Sequence, residues 1–151
     1  MTGPFPSRSV DLAVVVTANL INLLLAIMFL FRAHRQPQVG RIFGWIAVAL
    51  AMALVIAVIL NLLDRREWWA IALPLPMILY AIAEFVLDDV LKSDFRQTAL
   101  LGPYLGLYYV GLMMLIGYAF LVGRPHGFAV LLTYFVNLAA TFYSYARVGH
   151  G

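Results

Sequence analysis

The sequence predicts an all-α integral membrane bundle of five transmembrane helices, and three observations carry that prediction. Hydrophobic residues make up 64% of the 151 residues and charged residues 11%, against about half and about a quarter in an ordinary soluble domain. A soluble chain of this size buries only about 70% of the surface its unfolded form exposes, too little to hide such an apolar content. The mean hydropathy is +0.94, and the apolar residues are gathered into runs of about 20, the length of a membrane-crossing helix. Backbone in hydrocarbon must satisfy its own hydrogen bonds, so these runs are helices rather than open strands. A soluble globular enzyme, a disordered chain and a fibrous chain are all excluded.

The first run, Leu12 to Phe31, has only Thr17, Asn19 and Asn22 as polar residues. It is long and continues into Arg32, His34 and Arg35, so it reads as a retained span rather than a cleaved signal peptide. The second, Ile42 to Leu63, is uncharged and is closed by Asp64-Arg65-Arg66-Glu67. The third, Trp68 to about Leu87, contains Pro74, Pro76 and Glu84, and the prolines are candidates to kink it. Leu100 to Val122 is the fourth and Gly127 to Ala146 the fifth. Short linkers make successive helices antiparallel neighbours, so residues 1–151 form a single membrane domain. Trp45, Trp68 and Trp69 fall at run ends, where indoles sit at headgroup level.

Lysine and arginine set the expected orientation. Arg32, Arg35, Arg41, Lys92, Arg96 and Arg147 lie on one side, and Arg8, Arg65, Arg66 and Arg124 on the other. The excess places the N-terminus outside and the C-terminus in the cytoplasm. The net charge of +3 comes from scattered basic residues, which points to membrane flanks and not to a nucleic-acid partner. There is no cysteine, so disulfides and thiolate chemistry are excluded. No internal repeat is present, and five spans do not divide into the equal halves of an inverted-repeat transporter.

The segment from Glu84 to Arg96 holds four of the seven acids. On a helix Glu84 and Asp88 share a face, and Asp89 points about 100° away. Lys92 is spaced to pair with Asp88 or Asp89. Glu84 falls inside the apparent membrane edge, and intramembrane carboxylates usually face the bundle interior or a wet cavity. Asp89 and Asp94 read as a solvated helix end; Glu84 and Asp88 read as functional.

Other polar residues form stripes. Helix five carries Tyr134, Asn137, Thr141 and Ser144, and helix four carries Tyr104, Tyr108, Gly111 and Tyr118. Helix one adds Asn19 and Asn22. Ala49, Ala53, Ala57 and Asn61 make a small-residue row on helix two, and Gly102 with Gly106 a short GxxxG. Each alone is explained as packing or inter-helix hydrogen bonding. Depth is what combines them: Glu84, Asp88, Tyr104, Tyr108, Thr141, Asn137 and Asn22 fall at or below mid-depth towards one side. They are the expected ligand-binding set, in the cytoplasmic half, with Glu84 and Asp88 as the candidate acid and base should the site be catalytic. With no lysine or arginine in a span core, the lining suits a cation, an amine held by cation–π contacts, or a neutral polar molecule. It suits an anion poorly unless Arg96 and Arg147 close over the mouth.

Metal and cofactor signals are absent. His34, His126 and His150 lie outside the spans, and two carboxylates do not make a metal site. No nucleophile elbow, Walker loop or HExxH occurs, and no cofactor is implied. Three function classes follow. The first is a carrier, channel or receptor-like binder of a small cationic, neutral polar or lipid-like ligand. The second is a non-catalytic subunit or scaffold, with homo-oligomer or membrane-complex partners beside the lipid bilayer. The third is an intramembrane enzyme on a lipid or isoprenoid substrate.

Overall fold

The computed structural model describes residues 7–92 and 94–149. Five long apolar helices make up the chain: α1 Ser7–Ala33, α2 Pro37–Leu63, α3 Trp68–Val90, α4 Leu101–Val122 and α5 Arg124–Val148. No strand occurs among the described residues. The protein is a multi-pass, all-α membrane bundle. Most helices outrun the uncharged stretch that signals them, because backbone bonding continues into the interface, where polar side chains reach water. α1 packs along both α2 and α5, while α4 lies between α3 and α5 and also touches α1.

The face that α2 turns inward differs from the expected alanine row. Gly40, Ala47, Ala51, Leu54, Ala57 and Asn61 are buried, whereas Ala49 and Ala53 are exposed. Alanines occur on two sides of α2, so spacing alone leaves its rotation open. The approach of α1 decides it: a Cβ at Gly40 would stand 3.0 Å from the Met28 carbonyl oxygen. Gly102 and Gly106 meet nothing within 4 Å and face outward, so this GxxxG packs no helix of the bundle. Gly111 holds α3 against α4 instead, with the Met77 backbone 3.0 Å from where its Cβ would be.

α3 is irregular in two places, each with a local cause. It unwinds at Leu73–Pro74 and resumes at Leu75. Proline has no N–H, so Pro74 cannot bond the carbonyl four residues earlier. That carbonyl belongs to Ala70, and the Asn61 side chain donates to it at 3.0 Å. α3 then ends in a π-helical turn, Phe85–Val90, closed by the Leu91 amide on the Val86 carbonyl at 2.9 Å. A π turn brings positions five apart to the same side, so Asp89 comes round beside Glu84 rather than pointing away. Asp89 pairs with Arg41 at 3.3 Å. Lys92, the partner expected from spacing, lies beyond the helix with φ +48°. The linker to α4 folds back on the bundle: Phe95 is fully buried and packs edge-on against Tyr104, with ring centroids 4.8 Å apart.

The opposite end is tied by a charge network. Asp11 accepts from both Arg66 terminal nitrogens, at 2.7 and 3.2 Å, and from the Tyr118 hydroxyl at 2.7 Å. The Arg66 guanidinium lies 5.6 Å from the centroid of the Trp69 ring, which meets Tyr118 edge-on. The bond to Asp11 is the main cause that raises the Arg66 pKa above its ordinary value, against the opposing effect of burial. One carboxylate thereby joins the start of α1, the α2–α3 turn and the end of α4. An uncharged run that begins at Leu12 leaves Asp11 out of the span. The available signal was the antiparallel pairing of α1 with α2, which sets the start of one beside the Arg65-Arg66 end of the other.

Candidate functional site

A cavity of about 560 Å3 opens at the end of the bundle where α1, α3 and α5 finish and α4 begins. Its origin is the splay of α4 from α5. Near their turn the two helices touch closely: the Phe120 ring lies over Gly127 and meets Phe128 edge-on at 5.2 Å. At mid-depth Asn137 Nδ2 donates to the Tyr108 hydroxyl at 2.8 Å. Beyond that point, aromatic bulk on both helices leaves a gap. Leu105, Phe142 and Tyr145 line the cavity and are also exposed, so it reaches the outer surface between α4 and α5.

The inner wall is polar and aromatic. The Tyr104 hydroxyl donates to Glu84 Oε2. Its single proton is thereby committed, so in its 3.1 Å contact with the Tyr80 hydroxyl Tyr80 is the donor. The rings of Tyr80, Tyr104 and Tyr108 form one cluster, with centroids 5.3 and 5.1 Å from Tyr80. Tyr108 accepts from Asn137 and keeps its own proton to give. Behind it a ladder crosses the interior: Asn137 reaches Asn22 at 3.5 Å, Asn22 reaches Thr133 at 3.3 Å, and Thr133 donates to Asn19 at 2.9 Å. Asn137 is 1% exposed, and its Oδ1 has no hydrogen-bond partner among the described residues.

Four of the expected binding residues, Glu84, Tyr104, Tyr108 and Thr141, line this one cavity. The Thr141 hydroxyl donates to the Asn137 carbonyl of its own helix at 2.9 Å. Asn137 and Asn22 are not on the wall; they support Tyr108 from behind. Asp88 lines a separate space of about 30 Å3, on the other side of Glu84, with Arg32, Arg41 and Asp89. That space has room for water and no more.

Arg32 corrects the expected sign of the site. It lines the large cavity together with Glu84, so the lining is not acidic alone. The sequence signal was present: Arg32 continues the buried face of Leu25, Met28 and Phe29 at helical spacing. It was discounted because it follows the uncharged run. Tyr80, four residues before Glu84, was overlooked among apolar neighbours. Arg147 does not close the mouth. It lies along its own helix, with Nη1 3.3 Å from the Tyr143 hydroxyl. The side chain of Arg96 and all of His150 lie outside the described residues. Among the described residues no three histidine, aspartate or glutamate side chains gather as metal ligands would.

Fold and site together define a five-span α-helical membrane protein with a side-opening, aromatic-lined cavity in one half of the bundle. Comparison with known proteins finds no matching family model, no matching curated protein and no matching solved structure.

Proposed function

We propose that this protein binds a small amphiphilic, lipid-like ligand in the cavity between α1, α3, α4 and α5, as a carrier or receptor-like binder. The supporting observation is the cavity itself. Its volume of about 560 Å3 falls within the roughly 300–1,000 Å3 usual for small-molecule sites. Such sites combine apolar walls with a few placed polar groups, and here Glu84, Arg32 and the Tyr108 hydroxyl are those groups. The side opening at Leu105, Phe142 and Tyr145 suits a ligand that arrives from the bilayer. By the excess of lysine and arginine, this half of the bundle faces the cytoplasm. The scaffold reading gains no support from the exposed apolar residues, since lipid explains them equally.

Filling the cavity tests the reading. The full chain and its Thr141→Trp variant are purified in dodecyl maltoside and weighed intact by native mass spectrometry. The wild type is expected to retain a lipid-sized adduct that the variant loses, with melting temperatures within a few degrees. Equal adducts on both proteins, or on neither, would overturn the proposal.

A further inference from the structure

We infer that the ligand's head is zwitterionic, a phosphate ester carrying an amine, presented by a phospholipid of the surrounding bilayer. This rests on the reading of the cavity as an amphiphile site. The cavity wall carries one acid and one base on different helices: Glu84 on α3 and Arg32 on α1. The Glu84 side is the aromatic one, where Tyr104 donates to the carboxylate and the Tyr80 and Tyr108 rings stand close by. A carboxylate beside several phenol faces suits an ammonium group, which the rings attract through their quadrupoles. The Arg32 guanidinium offers the planar fork that suits phosphate oxygens.

Charge balance narrows the class further. Moving a ligand with a net charge out of water costs far more than moving a neutral one. A zwitterion is neutral overall, and both of its charges meet an opposite charge on the wall. An anionic head would find Arg32 but would also face Glu84, while a plain amine would face Arg32. The opening between α4 and α5 lets the acyl chains stay in the bilayer. The cavity then holds the head and the first part of a chain.

The test is competitive lipid binding by native mass spectrometry on the full chain in dodecyl maltoside. The probes are dioleoyl phosphatidylcholine, phosphatidylethanolamine and phosphatidylglycerol, with free phosphocholine as a soluble control. The two zwitterionic lipids are expected to bind about tenfold more tightly than phosphatidylglycerol, the worth of about one charge-assisted contact. Glu84→Gln should erase that preference while phosphatidylglycerol binding holds or rises. Arg32→Gln should weaken all three lipids, with partial recovery in Arg32→Lys. Should Glu84→Gln fail to fold, Tyr104→Phe takes its place, because it removes the hydroxyl on Glu84 and keeps the ring. Equal binding of all three lipids that Thr141→Trp abolishes would overturn the zwitterion and leave the cavity reading standing. Binding that ignores Thr141→Trp would overturn both. Tighter binding of phosphatidylglycerol, or free phosphocholine bound as well as the lipid, would overturn the assignment to a zwitterionic bilayer lipid.

Discussion

Replacing Asn61 with leucine should weaken the bundle through a carbonyl that belongs to another residue. Asn61 and Ala70 are both buried, and the Asn61 amide gives the Ala70 oxygen a hydrogen bond at 3.0 Å. That oxygen lacks its helical donor because residue 74 is proline. Leucine has nearly the same bulk, so packing changes little and the lost bond dominates. An unsatisfied buried carbonyl costs about 1–3 kcal/mol, while inter-helix hydrogen bonds in membranes average about 0.6 and reach about 1.7. No second donor can stand in at Pro74, which places the expected loss towards the upper end, about 1.5 kcal/mol. The Arg66 contact to Asn61 is 3.4 Å long and adds little. The decisive measurement is a double-mutant cycle with Pro74→Ala, which restores an N–H at position 74. Unfolding is followed by far-ultraviolet circular dichroism across a dodecyl maltoside–SDS series. In the Pro74→Ala background the Asn61→Leu loss should fall by about 1 kcal/mol, a coupling expected of groups that share one partner. The same loss in both backgrounds would refute the reasoning.

Two further predictions use the same unfolding assay. Asp11→Asn strips Arg66 and Tyr118 of a charged acceptor; breaking a buried pair costs about 3–5 kcal/mol. With side-chain exposures of 12% and 17%, about 2–3 kcal/mol is expected here, partly restored by Asp11→Glu. Gly111→Ala drives a methyl group into the Met77 backbone and should cost about 1–3 kcal/mol. Gly106→Ala, which meets nothing within 4 Å, should be neutral or slightly stabilising, and equal losses at the two glycines would contradict the observed helix rotation.

The site illustrates how a bundle makes a cavity without dedicated architecture. The Phe120–Gly127 contact closes one end of the α4–α5 hairpin, and the Tyr108–Asn137 bond fixes its middle. Below that bond Tyr104 and Tyr109 on α4 face Phe142 and Tyr145 on α5, and rings of this size do not interdigitate across a close helix pair. Phe95 caps the α4 side from the linker. The same aromatics that hold the helices apart would then contact the ligand.

Much of this was written in the chain itself. The runs of apolar residues determine five helices, because hydrocarbon offers no other partner to backbone N–H and C=O groups. The short linkers determine that neighbours are antiparallel. Depth along each helix follows from the same count, and it brought Glu84, Tyr104, Tyr108 and Thr141 to one end. Helix rotation was not determined, because the alanines and glycines of α2 and α4 fit more than one face. Only the packed structure turned Ala49 and Ala53 outward, set Asn137 and Asn22 behind Tyr108, and sent Asp88 to a separate space beyond a π turn. It also decided the fate of the charges. Asp11 and Arg32 lie just outside the uncharged runs, where composition reads them as solvated flanks. Whether a charge at a helix end meets water or the bundle depends on what packs beside it, and a neighbouring helix is a tertiary fact.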